Sequence, residues 1–195
     1  LHVEDLEVPC TSCHSPDKHK MRVITRTECM ACHHEAQDIA CGHCHRETAA
    51  LYTGQLQPWG LEGEPDVMYE GEVECEGCHD LSEEMSVPKV QETCVECHEA
   101  GYDEVLAEWI NEVQDPLVRA SLMAAEFSQT IEGLPRGRRG KTEAEALLAA
   151  SRSLIDLVEK GKGVHNYALS VDLLQQAEEG LQKASAKAGG ESPPP

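Results

Sequence analysis

All ten cysteines of this 195-residue chain fall into one repeated pattern, and that constrains the fold more than any other feature. The pattern is C-x-x-C-H. It occurs as Cys10-Thr-Ser-Cys13-His14, Cys29-Met-Ala-Cys32-His33, Cys41-Gly-His-Cys44-His45, Cys75-Glu-Gly-Cys78-His79 and Cys94-Val-Glu-Cys97-His98. At this cysteine and histidine content, chance would produce roughly 0.03 such strings, so five are a signal. No cysteine is left over for a disulfide framework. A structural zinc site of the two-cysteine, two-histidine type needs a histidine pair after each cysteine pair, a register this chain lacks.

Two cysteines at this spacing can each form a thioether with a vinyl group on the same porphyrin edge. The histidine that follows is then held beneath the macrocycle, where it gives iron a proximal nitrogen. The strings predict five haem c groups, bound through Cys10, Cys13, Cys29, Cys32, Cys41, Cys44, Cys75, Cys78, Cys94 and Cys97. The proximal ligands to iron are then His14, His33, His45, His79 and His98. The composition agrees. Aromatic residues are 4% of the chain and Phe occurs once, a thin supply for a core of this length. Porphyrins crowded into residues 10–98 would fill the interior and lie close to one another, because so short a chain cannot hold them apart.

Five further histidines remain, His2, His19, His34, His43 and His165, one per haem for complete bis-histidine ligation. His34 directly follows His33, and this C-x-x-C-H-H string resembles the class III cytochromes c. That resemblance implies that His34 ligates a haem other than its neighbour's. His19 lies in a turn-forming stretch, Ser15-Pro16-Asp17-Lys18-His19, that can fold back. His2 stands beside the first residue, where order needs tethering. His43 sits inside its own C-x-x-C loop and reaches only an adjacent haem or solvent. His165 lies far beyond the last string, in Gly161-Lys162-Gly163-Val164-His165-Asn166-Tyr167. This segment resembles the G-x-H-N string of the nitrite reductase and hydroxylamine oxidoreductase group of multihaem cytochromes, which implies a distal-ligand role. The plainer reading is a linker histidine between helices, with Asn166 as the N-cap.

A weak duplication relates residues 7–36 to 72–100, both starting their paired strings 19 residues apart. The second copy has Glu84 where the first has His19, and nothing that matches His34. Its distal ligands are therefore expected from the first copy or the tail. Otherwise one iron stays open or takes Met68 or Met85. On the imported-ligand view, residues 1–101 form one interleaved pentahaem domain, 102–188 a helical domain packing on the haems, and 189–195 a tail.

The expected fold is mainly α, with little regular structure in the haem region and a C-terminal antiparallel helical hairpin. Glycines and prolines make 46–74 read as an irregular connector, in which Trp59 and Tyr69 cover haem faces or simply pack. Residues 102–114 read as a helix, renewed after Asp115-Pro116 to about Ile131. Leu134–Gly140 reads as a hairpin tip with Arg136, Arg138, Arg139 and Lys141. Thr142 and Glu145 spell a capping box. Leu147, Leu148, Leu154, Ile155 and Val158 share one face of the next helix, which Gly161 ends. Leu169, Leu173, Leu174, Ala177 and Leu181 line a last helix from Tyr167 to Lys187.

The net charge is −20, and residues 51–100 carry thirteen acidic side chains against one basic, Lys89. This field disfavours nucleic acid and anionic membranes and favours a basic redox partner. The whole resembles multihaem c-type cytochromes, which implies electron transport between redox partners in the periplasm or outside the cell, in a respiratory setting. A subunit of a larger respiratory complex or cytochrome filament, or a dimer through the C-terminal helices, is an alternative. A reductase with an open haem is a weaker one, because no C-x-x-C-K variant of the nitrite reductase kind occurs. No apolar run approaches the ~18 residues a membrane span needs. The start at Leu1 leads us to expect that a leader or N-terminal anchor has been removed.

Overall fold

A computed structural model describes residues 4, 7–17, 41–80, 86–135 and 137–189. His2, His19, Cys29, Cys32, His33, His34, Met85 and Arg136 lie outside the described residues. The fold is mainly helical, as expected. Chain contacts divide it into two units, Leu1–His43 and Cys44–Pro195.

In the first unit, Cys10–Ser12 form a single 3-10 turn. Among the described residues, the second unit holds six α-helices: α1 Arg46–Thr53, α2 Val67–Glu70, α3 Val87–Cys97, α4 Tyr102–Glu132, α5 Lys141–Gly161 and α6 Tyr167–Gly189. Among the described residues, no helix is long and apolar enough to cross a membrane.

α4, α5 and α6 pack on one another, so the expected hairpin is two arms of a three-helix arrangement. Its core is leucine and alanine: Ala120, Ala124, Phe127 and Ile131 from α4, Ala144, Leu148, Ile155 and Val158 from α5, Leu173, Leu174, Ala177, Leu181 and Ala184 from α6. Small residues let α5 and α6 approach closely; a Cβ on Gly180 would run into the Ser151 hydroxyl. Close approach lets a sequence poor in aromatics reach native packing density. Leu147, Leu154 and Leu169 sit at the margin, half-buried against the core.

Three local expectations change. α4 runs through Pro116 without a break. The missing N–H costs a helix interior about 3 kcal/mol, and burial of Val113 before the proline and Ala120, Ala124, Phe127 and Ile131 after it holds both halves in line. The Thr142–Glu145 capping box does not form, because α5 begins at Lys141 with Gly140 as its N-cap. Gly140 has φ 82°, and a Cβ there would stand 2.5 Å from the Lys187 carbonyl oxygen. The connector is also more regular than its composition suggests. Ala49, Ala50 and Leu51 support α1, with Ala50 and Leu51 buried, and Trp59 packs against the core.

Two side chains of the basic tip are used internally. Lys141 Nζ donates to the Leu134 carbonyl at 2.8 Å, and Arg138 reaches the Gly189 carbonyl at 3.3 Å. Cations at helix C-termini meet unpaired carbonyls and the negative end of the dipole.

Leu174 is fully buried between the long helices. Leu174→Ala should cost about 2–5 kcal/mol, read as a lower urea midpoint with an unchanged slope.

Candidate metal centre

Three of the described C-x-x-C-H strings share a backbone hydrogen bond. His14 N–H donates to the Cys10 carbonyl at 2.9 Å, His79 to Cys75 at 3.0 Å and His98 to Cys94 at 2.9 Å. Cysteines three residues apart in a turned backbone are neighbours, which is what reaching one porphyrin edge requires. In each described string one cysteine is exposed and the other half-buried: Cys10 and Cys13, Cys44 and Cys41, Cys75 and Cys78, Cys97 and Cys94.

The duplication reaches the backbone. Cys13 has φ −118° and ψ −20°, and Cys78 has φ −116° and ψ −20°. Three residues before each first cysteine, Glu7 (φ 53°) and Glu72 (φ 60°) hold the left-handed conformation that non-glycine residues seldom adopt.

The Cys75–His79 string is tied to α1. Tyr52 donates its hydroxyl to the Val73 carbonyl at 2.6 Å, and Asp66 N–H donates to the Tyr52 carbonyl at 2.9 Å. Burial, followed by the neighbouring Cys78, Asp66 and Cys75, pushes the Tyr52 phenol up to about 12. Tyr69 meets Tyr52 edge to face at 5.5 Å. Asp66 caps α2 by accepting from Met68 N–H, and its carboxyl is raised chiefly by burial.

His165 arrives from the other side, on a 3-10 turn over Gly163–Asn166. The glycines flanking Lys162 are there for want of space. A Cβ on Gly161 would stand 2.6 Å from Leu51 Cδ1 and 2.9 Å from the Glu47 carbonyl oxygen. One on Gly163 would stand 2.6 Å from Val113 Cγ1. Lys162, between them, takes φ 54°. Its carbonyl is thereby turned to accept both the His165 backbone N–H at 3.0 Å and the ring Nδ1 at 2.9 Å. The Gly161 carbonyl also lies 3.1 Å from Nδ1. Carbonyls only accept, so Nδ1 carries a proton; in the neutral ring this leaves the lone pair on Nε2, the tautomer of a metal-ligating histidine.

The structure brings His165 and His79 together, with ring centres 6.1 Å apart and ring planes inclined by 36°. Bonds of about 2 Å from iron to each ring, plus about 1.1 Å from nitrogen to ring centre, span about 6 Å. The pair thus has the separation of two imidazoles on opposite faces of one iron. His79 Nδ1 is buried without a hydrogen-bond partner. Such an atom costs about 1–3 kcal/mol, so the His79 ring is held by burial without a hydrogen bond of its own at Nδ1. Burial, then His165 and His45, lower the pKa of His79, which favours the neutral form that binds metal. By contrast, His98 stacks directly on Tyr102 at 4.4 Å.

Among the described residues, no three or more His, Cys, Asp or Glu side chains gather as a cage of protein ligands would require. A porphyrin supplies four nitrogens itself and asks for two axial ligands, so the donor set fits haem better than a bare ion. The Cys78 thiol is raised by burial, then by Cys94, Cys97 and Asp66. Cys78 thus lies within electrostatic range of Cys94 and Cys97, and His79 within range of His45. His43, His45 and His14 are described but have no partner histidine assigned to them by geometry. Sequence reasoning missed Tyr52 and Asp66, whose types are too common to signal a site without the fold.

Residues 34–99 match the family described as Cytochrome c7 and related cytochrome c. The matched stretch contains three of the five strings and supports a multihaem c-type cytochrome with covalently bound haem c that serves electron transfer. The family points to an electron carrier rather than an enzyme. No curated protein and no solved structure matches the chain.

Tyr52→Phe removes the bond to Val73 from the segment that precedes Cys75. Unfolding in urea should register a loss of about 1 kcal/mol, and a wild-type value would mean that this bond does not anchor the string.

Proposed function

We propose that the chain is a pentahaem electron carrier working outside the cytoplasm, with haems at all five strings and mostly bis-histidine iron. The observation that carries this reading is the pairing of His79 with His165 across a gap of one iron, 6.1 Å between ring centres. It joins a string histidine to one of the spare histidines, which the one-to-one count of ligands requires. In this reading His14, His33, His45, His79 and His98 are proximal. His2, His19, His34, His43 and His165 are distal, and residues 1–101 form one interleaved haem domain under the helical 102–188. Low-spin iron with two histidines changes its bond lengths little on reduction and has no position for a substrate, which suits rapid electron transfer.

Short steps between haems are expected, since the Cys94–His98 string lies within electrostatic range of Cys78. The partner surface is acidic. Glu62, Glu64, Glu70, Glu72, Glu74, Glu76 and Asp80 are all exposed around the Cys75–His79 string. Their field steers a redox protein with a basic docking face, and the association rate should fall steeply with added salt.

Intact mass and a haem assay on the exported holoprotein should count five haems, and a count of four or fewer overturns the pentahaem reading. Low-temperature EPR of the oxidised protein should show low-spin iron alone. In the His165→Ala holoprotein, one haem of the five should become high-spin while four keep their signals. Five unchanged signals would remove His165 from the ligand set.

A further inference from the structure

Between the turn that carries His165 and the segment that carries His79, one side chain makes two hydrogen bonds. Asn166 is buried, and its amide is fully used. Nδ2 donates to the Leu51 carbonyl at 2.9 Å and to the Glu64 carbonyl at 2.9 Å, while Oδ1 accepts from Leu169 N–H at 3.2 Å. The last of these is the expected N-cap of α6. The first two are something else: they clamp both ends of the loop between α1 and α2 to the tail.

From Glu64 the connection continues to the haem string through bonds already described. Asp66 N–H donates to Tyr52, the Tyr52 hydroxyl donates to Val73, and His79 N–H donates to Cys75. On the tail side the turn is fixed as firmly. Ser170 Oγ donates to the Gly163 carbonyl at 2.8 Å, and the Lys162 carbonyl holds the His165 ring. Both imidazoles are thus carried on backbone whose mutual placement passes through the Asn166 amide.

We propose that Asn166 is a positioning residue for the iron between His79 and His165, setting the distance and tilt of the two rings through its clamp without touching the haem. This inference rests on the ligand pairing proposed above. An axial bond of about 2 Å has little tolerance, so a shift of a few tenths of an ångström in the turn alters ligand-field strength before it alters folding.

Asn166→Asp separates the clamp from the cap. Aspartate is an equally good N-cap and still accepts from Leu169, but it sets an oxygen where the amide donated to two carbonyls. Asn166→Ser is the companion, a neutral cap too short to reach Leu51 and Glu64. EPR and a spectroscopic redox titration of each holoprotein are compared with wild type, His165→Ala and Leu181→Ala, which opens a cavity in the helices away from the turn.

The expected result is that both Asn166 variants change the signal and reduction potential of one haem, the same one that His165→Ala converts. The other four stay as they were, and Leu181→Ala melts earlier with all five unchanged. If His165→Ala converts a haem while both Asn166 variants keep wild-type spectra and potentials, the clamp is structural only and the positioning role is overturned. If Leu181→Ala moves the same haem, general loosening explains the effect and the role is again overturned. If His165→Ala moves no haem, the pairing beneath this inference fails, and the inference with it.

Discussion

An iron with two histidine ligands demands that both imidazoles reach it within a few tenths of an ångström, although the two can lie far apart in the chain. In the ligand pairing proposed here the demand falls on His79, within its own cysteine string, and on His165, 86 residues later. The Gly161–Asn166 turn meets it by close packing. Gly161 lies against α1, Gly163 against Val113 of α4, and Lys162 takes a left-handed conformation that aims its carbonyl at the His165 ring. The three long helices give this turn something rigid to be wedged into. α1 and the loop after it then carry the constraint to Cys75 through Tyr52 and Val73.

Much of this was legible in the sequence because the signals were local. The C-x-x-C-H strings signal c-type haem chemistry within five residues each, and the family match spans three of them. The apolar faces of α5 and α6 follow from period alone, and Gly161 ends α5 where expected. The proline at 116 misled because a local rule for helix starts competes with burial on both sides of it, and burial prevailed. The capping box misled for a similar reason, since Gly140 is placed by the approach of α6 and sets the helix start two residues early. The connector's glycines suggested irregularity. Gly54 instead sits where the chain doubles back, with a Cβ there 2.7 Å from backbone of Gly63–Pro65.

The candidate site divides in the same way. His165 was singled out by a short resemblance, and its ring-to-ring approach to His79 needed the fold. Tyr52, Asp66 and the second use of Asn166 were beyond local reading, because their partners are backbone carbonyls and neighbours supplied by other elements. An N-cap is visible in sequence; two bonds to Leu51 and Glu64, more than a hundred residues away, are not. The repeated backbone at Glu7 and Glu72 carries the duplication further than side-chain likeness alone, since both copies hold the same unfavourable conformation just before a cysteine pair.

The central claim is that one iron lies between His79 and His165. An anomalous-scattering map of holoprotein crystals, recorded at the iron edge, locates each iron without reference to the protein atoms. The account predicts a peak about 2 Å from one ring nitrogen of His79 and about 2 Å from one of His165. An iron at His79 with any other residue, or water, on its far face would contradict it.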